Sequence, residues 1–312
     1  LDSSKKSLPT IATTTTITKT TKIKQRKFEL DTGTIIKIAY TFFIIFLLFL
    51  PIVYPPALNW ISYADIPPTI LNVGSTGYSI KTYDWINTLN WISKNTPKDA
   101  VIAAWWDYGY WISTLGNRTS LADNAANNQT RIATISQMFI EKPEEGIKIA
   151  NKLKADYILI YVVAEKIAIN NSSYYILGGG GDESKIYWFL KLGKFDENKY
   201  IEQDQFTPKP IFWSDSLLGQ LIPFEHVGYA TKIKNEQQLT NFSQEYNPEA
   251  FAIYSKHMKY QKNDSDKQQQ QQQQPLSLVY YSDSFALSNN NINNNQNLVS
   301  IVLLYKINND QH

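Results

Sequence analysis

The chain has 312 residues, of which 43% are hydrophobic and 13% aromatic, and this is enough for one or two globular domains with a core. Its formal net charge of +2 is too small to indicate a nucleic-acid partner. The absence of cysteine excludes disulfides and thiolate metal sites. The chain starts at Leu1 without a signal peptide, and we expect it to be the C-terminal part of a longer protein.

The first predicted element is a membrane-spanning helix at residues 34–54. An uncharged apolar run extends from Ile38 to Tyr54, and Ile35 and Ile36 lengthen it to the ~20 residues that a spanning helix needs. Basic residues precede the run, at Lys19, Lys22, Lys24, Arg26 and Lys27. The positive-inside rule therefore predicts a cytoplasmic basic segment at residues 1–33 and an extracytoplasmic remainder. A buried core helix of a soluble protein is the alternative.

A helix followed by a strand is predicted for residues 84–106. Asp84 is suited to cap the helix, and Asn95-Thr96-Pro97 is suited to end it. The apolar residues of this helix recur at helical spacing and share one face: Trp85, Leu89 and Ile92. The apolar run from Val101 to Trp106 then predicts a buried strand, so the aromatic residues that follow lie at a strand end, where loops carry binding residues.

Two further helices and a second buried strand are predicted next. One helix carries its apolar residues on one face, at Ile132, Ile135 and Phe139. Pro143 opens the other helix, with Glu144 and Glu145 in its first turn. The strand extends from Tyr157 to Val163. This alternation favours a mostly parallel sheet with covering helices, so the predicted class is a mixed α/β domain at residues 55–200.

Residues 201–312 differ in composition and are predicted to form an accessory, partly β portion. Two polar low-complexity tracts, Gln268 to Gln274 and Asn289 to Asn297, cannot bury a core, and we expect them to be loops. Leu276 to Tyr281 and Leu298 to Ile307 are predicted strands, placed to form a terminal hairpin. The C-terminal portion is therefore expected to be β-rich.

The cluster Trp105-Trp106-Asp107-Tyr108-Gly109 joins aromatic rings to a carboxylate that has no basic residue beside it in the sequence. Aromatic residues at a strand end often only plug the core, but a core acid is costly unless it is hydrogen-bonded. Each indole also supplies an N–H donor that needs a partner. Two indole donors and one carboxylate acceptor, on a turn relieved by Gly109, predict a pocket for a small hydroxyl group that donates to the acid and accepts from the rings.

The motif WWDYG at 105–109, followed by GNRTSLADNAANNQTRI at 116–132, resembles the signature of the catalytic subunit of oligosaccharyltransferase, the membrane enzyme of N-glycosylation. In that family the two Trp and the Asp bind the Ser or Thr hydroxyl of the Asn-X-Ser/Thr acceptor sequon. The resemblance therefore assigns this role to Trp105, Trp106 and Asp107, with Gly109 as the structural turn. Residues 55–200 then become an acceptor-recognition domain.

A second segment, DESKIYWFLKL, resembles the Asp-x-x-Lys motif that the archaeal and eukaryotic members of this family carry. The matching residues are Asp182, Lys185, Phe189 and Leu192. Asp182 is suited to cap a helix after Gly178 to Gly181, and the spacing places all four residues on one helical stripe. An ordinary capped amphipathic helix would have the same stripe. The family has Met and Ile where this chain has Phe189 and Leu192, and the resemblance places these two residues against the acceptor's Ser or Thr.

For the whole enzyme, the resemblance implies transfer of an oligosaccharide from a polyprenyl (dolichyl) phosphate or diphosphate carrier to the sequon Asn, with Mn²⁺ or Mg²⁺. It implies that the catalytic carboxylates and the metal ligands lie upstream of Leu1, so that this part holds none of them and is inactive alone. The expected partners are the acceptor polypeptide, the lipid-linked oligosaccharide and the membrane. Composition favours an archaeal cell membrane, with the lumen of the endoplasmic reticulum as the alternative.

Two other functions stay open at this point: a non-catalytic, membrane-anchored module that binds sugar or peptide, and a structural ectodomain. Asp264-Ser265-Asp266 matches the Asp-x-Asp metal pattern of glycosyltransferases, but it adjoins the glutamine run, where a chance match is more frequent. The histidines are too scattered for a metal site: His226, His257 and His312. Gly178 to Gly181 lacks the ending of a phosphate loop. Six residues head sequons of their own: Asn117, Asn128, Asn170, Asn171, Asn241 and Asn263.

Overall fold

The computed structural model describes residues 31–54, 83–169, 172–232, 239–259, 274–287 and 298–308. The chain divides into two compact units, Leu1–Ile61 and Ser62–His312. The tract Asn289 to Asn297 and all of the glutamine run except its last residue lie outside the described residues, as does most of the predicted basic segment 1–33.

The first unit contains helix α1, Thr32–Val53, whose N-terminus is capped by Asp31 through a 2.6 Å hydrogen bond from the backbone N–H of Thr34. An 18-residue window of α1 has a mean hydropathy of 2.4, and none of the helix residues is buried. Within the described ranges, this is the one helix long and apolar enough to cross a membrane. The helix predicted at 34–54 is confirmed, and its exposure does not match the alternative of a buried core helix.

The second unit is built on one sheet, whose strands are β1 Val101–Ala103, β2 Thr119–Ser120, β3 Tyr157–Ile169, β4 Ser172–Leu177, β5 Phe224–Lys232, β6 Leu239–Ser243, β7 Phe251–Lys256, β8 Leu276–Tyr281 and β9 Leu298–Ile307. In the described part of the chain the strand order is β2-β1-β3-β4-β7-β5-β6, and β9 pairs with both β3 and β8. Strands from either side of residue 200 thus share the sheet, so the predicted recognition and accessory portions fold as one unit.

The helices of this unit are α2 Asp84–Asn95, α3 Gly109–Thr114, α4 Gln129–Ile140, α5 Pro143–Lys152, α6 Ile186–Gly193, α7 Glu197–Tyr200, α8 Pro210–Asp215, α9 Leu217–Leu221 and α10 Asp283–Leu287. Two 3₁₀ turns, Trp106–Tyr108 and Asp182–Ser184, lie between these elements. Helix α2 packs on β9, and α4 packs on both α5 and α6. The helices therefore cover the sheet as an α/β class requires.

The predicted mostly parallel sheet is wrong, although the mixed α/β class is confirmed. Among the described strands only β1 runs parallel to its neighbours β2 and β3, and the other six pairings are antiparallel. The reason is that β4 follows β3 after two residues, and β9 returns along β3 from Tyr157 to Glu165. A parallel neighbour would need a long crossover connection. The predicted terminal hairpin of β8 and β9 is confirmed.

The apolar faces predicted from periodicity are confirmed. Each of these residues is buried: Trp85, Leu89, Ile92, Ile132, Ile135 and Phe139. Pro143 opens α5, as predicted. The predicted cap at Asp84 is wrong, because its carboxylate instead accepts hydrogen bonds from the backbone N–H and the hydroxyl of Ser284, at 3.0 and 2.6 Å. These bonds join the start of α2 to the start of α10.

Candidate functional site

The WWDYG segment leaves the sheet at the carboxyl end of β1. The strand is shorter than predicted: it ends at Ala103, and Trp106 already starts a 3₁₀ turn. Trp105 and Tyr108 are buried, whereas Trp106 and Asp107 are half-buried. The turn therefore separates two residues that support the core from two that reach the surface.

Gly109 is needed at this turn for space, not for backbone freedom. Its φ of −59° is ordinary helical backbone. A Cβ added there would lie 2.1 Å from the carbonyl oxygen of Ala122 and 2.4 Å from the Cα of Asp123. Asn124 of the same loop donates from Nδ2 to the backbone carbonyl of Asp107 at 2.8 Å. The absence of a side chain at Gly109 thus allows the loop before α4 to pack against the turn.

The Asp-x-x-Lys segment is attached to an open stretch of the edge of β3. On this edge β1 pairs with Tyr157 and Ile158, and β4 begins to pair only at Ala164. Between them, the N–H of Tyr161 donates to Asp182 Oδ2 at 2.9 Å, and the N–H of Val163 donates to Glu183 Oε2 at 3.2 Å. Two carboxylates thereby satisfy backbone donors that lack a strand partner there.

Asp182 is consequently not the helix cap predicted from its sequence position. It belongs to the 3₁₀ turn, is fully buried, and accepts from Tyr161 and from the Tyr108 hydroxyl at 2.8 Å. Burial raises the pKa of Asp182 to about 6, against the lowering effect of Lys185 and of the two hydrogen bonds. Burial likewise raises the pKa of Glu183 to about 7. The two acids have a structural role in holding the turn against β3.

The glycine run before this turn packs closely over the same strand. Gly178 and Gly180 have φ angles of +133° and +103°, which favour glycine. A Cβ at Gly179 would lie 2.1 Å from a methyl carbon of Val163. The run is therefore fitted to the path from β4 to the 3₁₀ turn.

Lys185 joins the two motifs. Its Nζ lies 3.1 Å from Asp107 Oδ2 and donates to the Tyr108 hydroxyl at 2.9 Å, and that hydroxyl in turn donates to Asp182. The ammonium group also lies 4.6 Å from the centre of the Tyr108 ring. Burial and the neighbouring Asp182 raise the pKa of Tyr108 well above its usual range, so the phenol stays a neutral donor. Asp107 has no basic partner among its neighbours in the sequence. Its partner is Lys185, 78 positions further along the chain.

A cavity of about 620 Å³ opens beside this network. It is lined by Trp105, Trp106, Asp107, Ala126, Gln129, Ile132, Gly180, Ser184, Lys185, Trp188 and Leu192. The predicted residues Trp105, Trp106, Asp107, Lys185 and Leu192 are thus brought together. Asp182 and Phe189 are not among the lining residues.

Phe189 lies behind the cavity. It is fully buried, and its ring centre is 4.4 Å from that of Trp105 and 5.1 Å from that of Phe139. The Nε1 of Trp105 is closed to solvent and has no hydrogen-bond partner among the described residues. Of the two indoles predicted to bind a hydroxyl, Trp106 is therefore the more exposed, while Trp105 lines the cavity with Phe189 packed behind it.

Sequence reasoning missed Trp188 and the residues from the start of α4. Lys185, Trp188 and Leu192 are separated by three and four positions, so they share one face of α6, whereas Phe189 and Leu190 face the core. Trp188 and Phe189 lie three and four positions after Lys185, and both spacings fit one helical face. Spacing alone therefore does not separate the exposed Trp188 from the buried Phe189.

The other candidate residues do not form a metal site in the described part of the chain. His226 and His257 line a second cavity of about 290 Å³, and His257 Nδ1 lies 3.8 Å from Glu225 Oε2. Burial lowers the pKa of His226. Within the described ranges there is no group of three or more His, Cys, Asp and Glu that could hold a metal ion. Asp264-Ser265-Asp266, His312 and the sequon residues Asn170, Asn171 and Asn263 lie outside the described residues.

Residues 97–176 match the family model of the STT3/PglB/AglB core domain. The chain is 31% identical over 148 residues to the dolichyl-diphosphooligosaccharide–protein glycosyltransferase subunit stt3 of Schizosaccharomyces pombe. The alignment covers 47% of this chain and 18% of that protein. It is 33% identical over 120 residues to subunit STT3B of Oryza sativa, and this alignment covers 38% of this chain and 15% of that protein. The chain thus spans less than one fifth of the length of these relatives.

Solved structures give weaker similarity. The C-terminal globular domain of an oligosaccharyltransferase from Archaeoglobus fulgidus aligns with 20% identity and a TM-score of 0.32, over 57% of this chain and 99% of that chain. An Archaeoglobus fulgidus oligosaccharyltransferase tethered to an acceptor peptide with an NVT sequon aligns with 16% identity and a TM-score of 0.36, over 84% of this chain and 30% of that chain. The family model and the two curated relatives confirm the resemblance indicated by the motifs, and the chain is similar to the STT3/PglB/AglB core domain and to the STT3 subunits of dolichyl-diphosphooligosaccharide–protein glycosyltransferase.

Proposed function

We propose that this chain is the acceptor-recognition part of an oligosaccharyltransferase and that its 620 Å³ cavity binds the Ser or Thr of an Asn-X-Ser/Thr sequon. The observation that carries the proposal is the Asp107–Lys185 pair, which joins the two motifs at the cavity. The whole enzyme would transfer an oligosaccharide from a dolichyl phosphate or diphosphate carrier to the sequon Asn.

Asp107 is the acceptor for the sequon hydroxyl in this proposal. Its side chain is 26% exposed, so it is open to a ligand while Lys185, at 10%, holds it from the protein side. The Lys185 ammonium is itself fixed by the Tyr108 hydroxyl. A carboxylate whose position is set in this way can accept from an incoming hydroxyl without reorganisation, and Trp106 supplies an adjacent donor.

Leu192 is the apolar wall for the Thr methyl group. It lines the cavity, one turn beyond Trp188 on the same face of α6, whereas Phe189 is turned to the core. Asp182 and Phe189 act on the acceptor indirectly, because they fix Tyr108 and Trp105. The seven predicted site residues thus divide into those that contact the acceptor and those that support them.

In this proposal, residues outside the described part of the chain carry out the transfer reaction. The resemblance implies Mn²⁺ or Mg²⁺, but the described residues offer no ligand cluster for such an ion, so they do not fit it. The described part of the chain would bind and orient the acceptor, and the lipid-linked oligosaccharide and the metal would be held elsewhere in the complete enzyme.

The proposed location is a membrane, with α1 as the anchor and the second unit on the extracytoplasmic side. The basic residues before α1 support this orientation. Protease added to sealed, right-side-out vesicles should remove the portion after Pro55 and spare the N-terminal segment. The archaeal origin favoured by composition stays a prediction, since the two relatives given above are from a fungus and a plant.

The experiment that tests the function is glycopeptide formation by the complete enzyme carrying Asp107→Ala. Loss of a hydrogen bond to a charged group, worth roughly 1.5–3 kcal/mol, should lower the use of a Thr sequon peptide about 10- to 150-fold. Asp99→Ala, which removes an exposed acid that does not line the cavity, is the matched control and should change nothing. Unchanged glycosylation by the Asp107 variant would overturn the assignment.

A further inference from the structure

The cavity is larger than recognition of one hydroxyl requires. At about 620 Å³ it falls within the range of roughly 300–1,000 Å³ found for sites that enclose drug-sized ligands. Asp107, Lys185 and Leu192 account for a hydroxyl and a methyl group. The remaining wall is formed by Trp188 on α6 and by residues at and before the start of α4, among them Ile132.

Trp188 is unusual in its exposure. Its side chain is 51% exposed although it lines the cavity, whereas Trp85 and Trp105 are buried. The Tyr187 ring lies edge-on to it at 5.4 Å, and the Lys191 ammonium lies 5.5 Å from the ring centre. These contacts leave much of the ring uncovered. Trp is one of the residue types that most often dominate a binding interface.

The charges in the cavity define which side chain this wall can accept. Among the described lining side chains the charged ones are Asp107 and Lys185, and they pair with each other. The other lining residues on this wall are apolar or neutral, at Leu192, Ile132 and Gln129, while the Lys191 ammonium lies beside the Trp188 ring. A cationic ligand side chain would therefore lose hydration there and meet a like charge. An aromatic or large aliphatic side chain would gain by burial.

The path of the acceptor determines which of its residues is available. The sequon Asn lies two residues before the Ser or Thr, a distance of at most ~7 Å along an extended chain, and it must reach the reacting centre. The sequon residue between the Asn and the Ser or Thr must follow this extended connection to the reacting centre. The residue directly after the Ser or Thr is free to remain over the cavity.

We propose that Trp188, with Ile132 and Leu192, forms a subsite for an aromatic or large aliphatic side chain directly after the sequon Ser or Thr. The inference rests on the proposed function, because it uses the hydroxyl at Asp107 to fix the register of the acceptor. Trp188 is then a specificity-determining residue for the acceptor sequence.

The test is peptide binding by the full chain in detergent micelles, followed by fluorescence anisotropy. The peptides share Asn-Ala-Thr and differ in the next residue, which is Gly, Leu, Phe or Lys. The Leu and Phe peptides should bind about 3- to 10-fold more tightly than the Gly peptide, and the Lys peptide no better than Gly. Trp188→Ala should remove this difference, and Trp188→Phe should keep most of it.

Phe206→Ala is the matched control, because Phe206 is 79% exposed and does not line the cavity. It should leave every affinity unchanged. Equal binding of all four Thr peptides would overturn the subsite and leave the proposed function intact. A preference for Leu or Phe that persists in Trp188→Ala would also overturn it. If a peptide with Val in place of Thr binds as well as the Thr peptides, it is the proposed function that fails.

Discussion

The two motif segments that line the cavity hold their residues in place by different means. The segment 105–109 is shaped by close packing, since the loop at Ala122 and Asp123 leaves no room for a side chain at Gly109. The segment 182–192 is held by buried carboxylates that accept from the backbone of β3. In the first segment the acid is partly exposed and lines the cavity, and in the second it is buried and bonded to the protein backbone. Two aspartates of one site should therefore respond differently to substitution: loss of Asp107 should affect binding, and loss of Asp182 should affect stability.

The largest expected effect is on stability, in Asp182→Ala. The substitution leaves the Tyr161 N–H and the Tyr108 hydroxyl without their acceptor in the core. At roughly 1–3 kcal/mol for each of the two unsatisfied groups, the free energy of unfolding should fall by about 2–6 kcal/mol. Urea unfolding of the full chain in detergent, followed by tryptophan fluorescence, measures it. Asp107→Ala, which removes a partly exposed acid, should cost about 1 kcal/mol or less. Equal destabilisation by the two variants would remove the distinction between the segments.

The second expected effect is a pH dependence that belongs to the 182–192 segment. The pKa of Glu183 is raised to about 7 in the folded protein, above its ordinary value of 4.5. The stability that follows from this raised pKa is fully present below pH 4.5 and is lost as the pH rises through 7, a change on the order of 3 kcal/mol. Asp182, with a pKa of about 6, contributes in the same direction between pH 4 and 6.

Glu183→Gln should therefore flatten the dependence of the unfolding free energy on pH between about pH 5 and 8. The free energy of unfolding should be measured at four pH values across this range. Glu165→Gln, which changes an exposed acid of β3, is the control. An unchanged slope in the Glu183 variant would mean that the carboxyl is not held in the buried environment described here.

The smallest expected effect separates Leu192 from Phe189. If Leu192 contacts the acceptor methyl, Thr peptides should be preferred over Ser peptides by the ~0.8 kcal/mol of one buried methyl group, about 4-fold. Leu192→Ala should reduce this ratio towards one. Phe189→Ala should instead lower stability by about 3–5 kcal/mol, because Phe189 is fully buried, and leave the ratio nearly unchanged. The opposite assignment of the two effects would place Phe189 in the cavity.

Much of the fold followed from periodicity because the apolar faces of α2 and α4 are governed by local spacing. The terminal hairpin followed from strand composition. The direction of the strands did not, because the position of β9 beside β3 depends on contacts between residues 157–165 and 298–306 that no local pattern encodes.

The sequence predicted only those residues of the candidate site that belong to the two motifs. The resemblance identified Trp106, Asp107, Lys185 and Leu192, which line the cavity. It could not reveal that Asp182 is bonded to the β3 edge, since that depends on where β1 ends and β4 begins. Nor did it predict Trp188, because Trp188 and Phe189 lie three and four positions after Lys185 and spacing alone does not separate the exposed residue from the buried one.

The most direct test of the account is a thermodynamic cycle on peptide binding by the full chain. Asn-Ala-Thr and Asn-Ala-Val peptides are titrated against the unaltered chain and against Asp107→Ala. The account predicts that Thr binds roughly 10- to 150-fold more tightly than Val to the unaltered chain, and that the two bind nearly alike to Asp107→Ala. If Thr and Val bind equally to the unaltered chain, or if the preference for Thr is undiminished without Asp107, the carboxylate does not recognise the sequon hydroxyl.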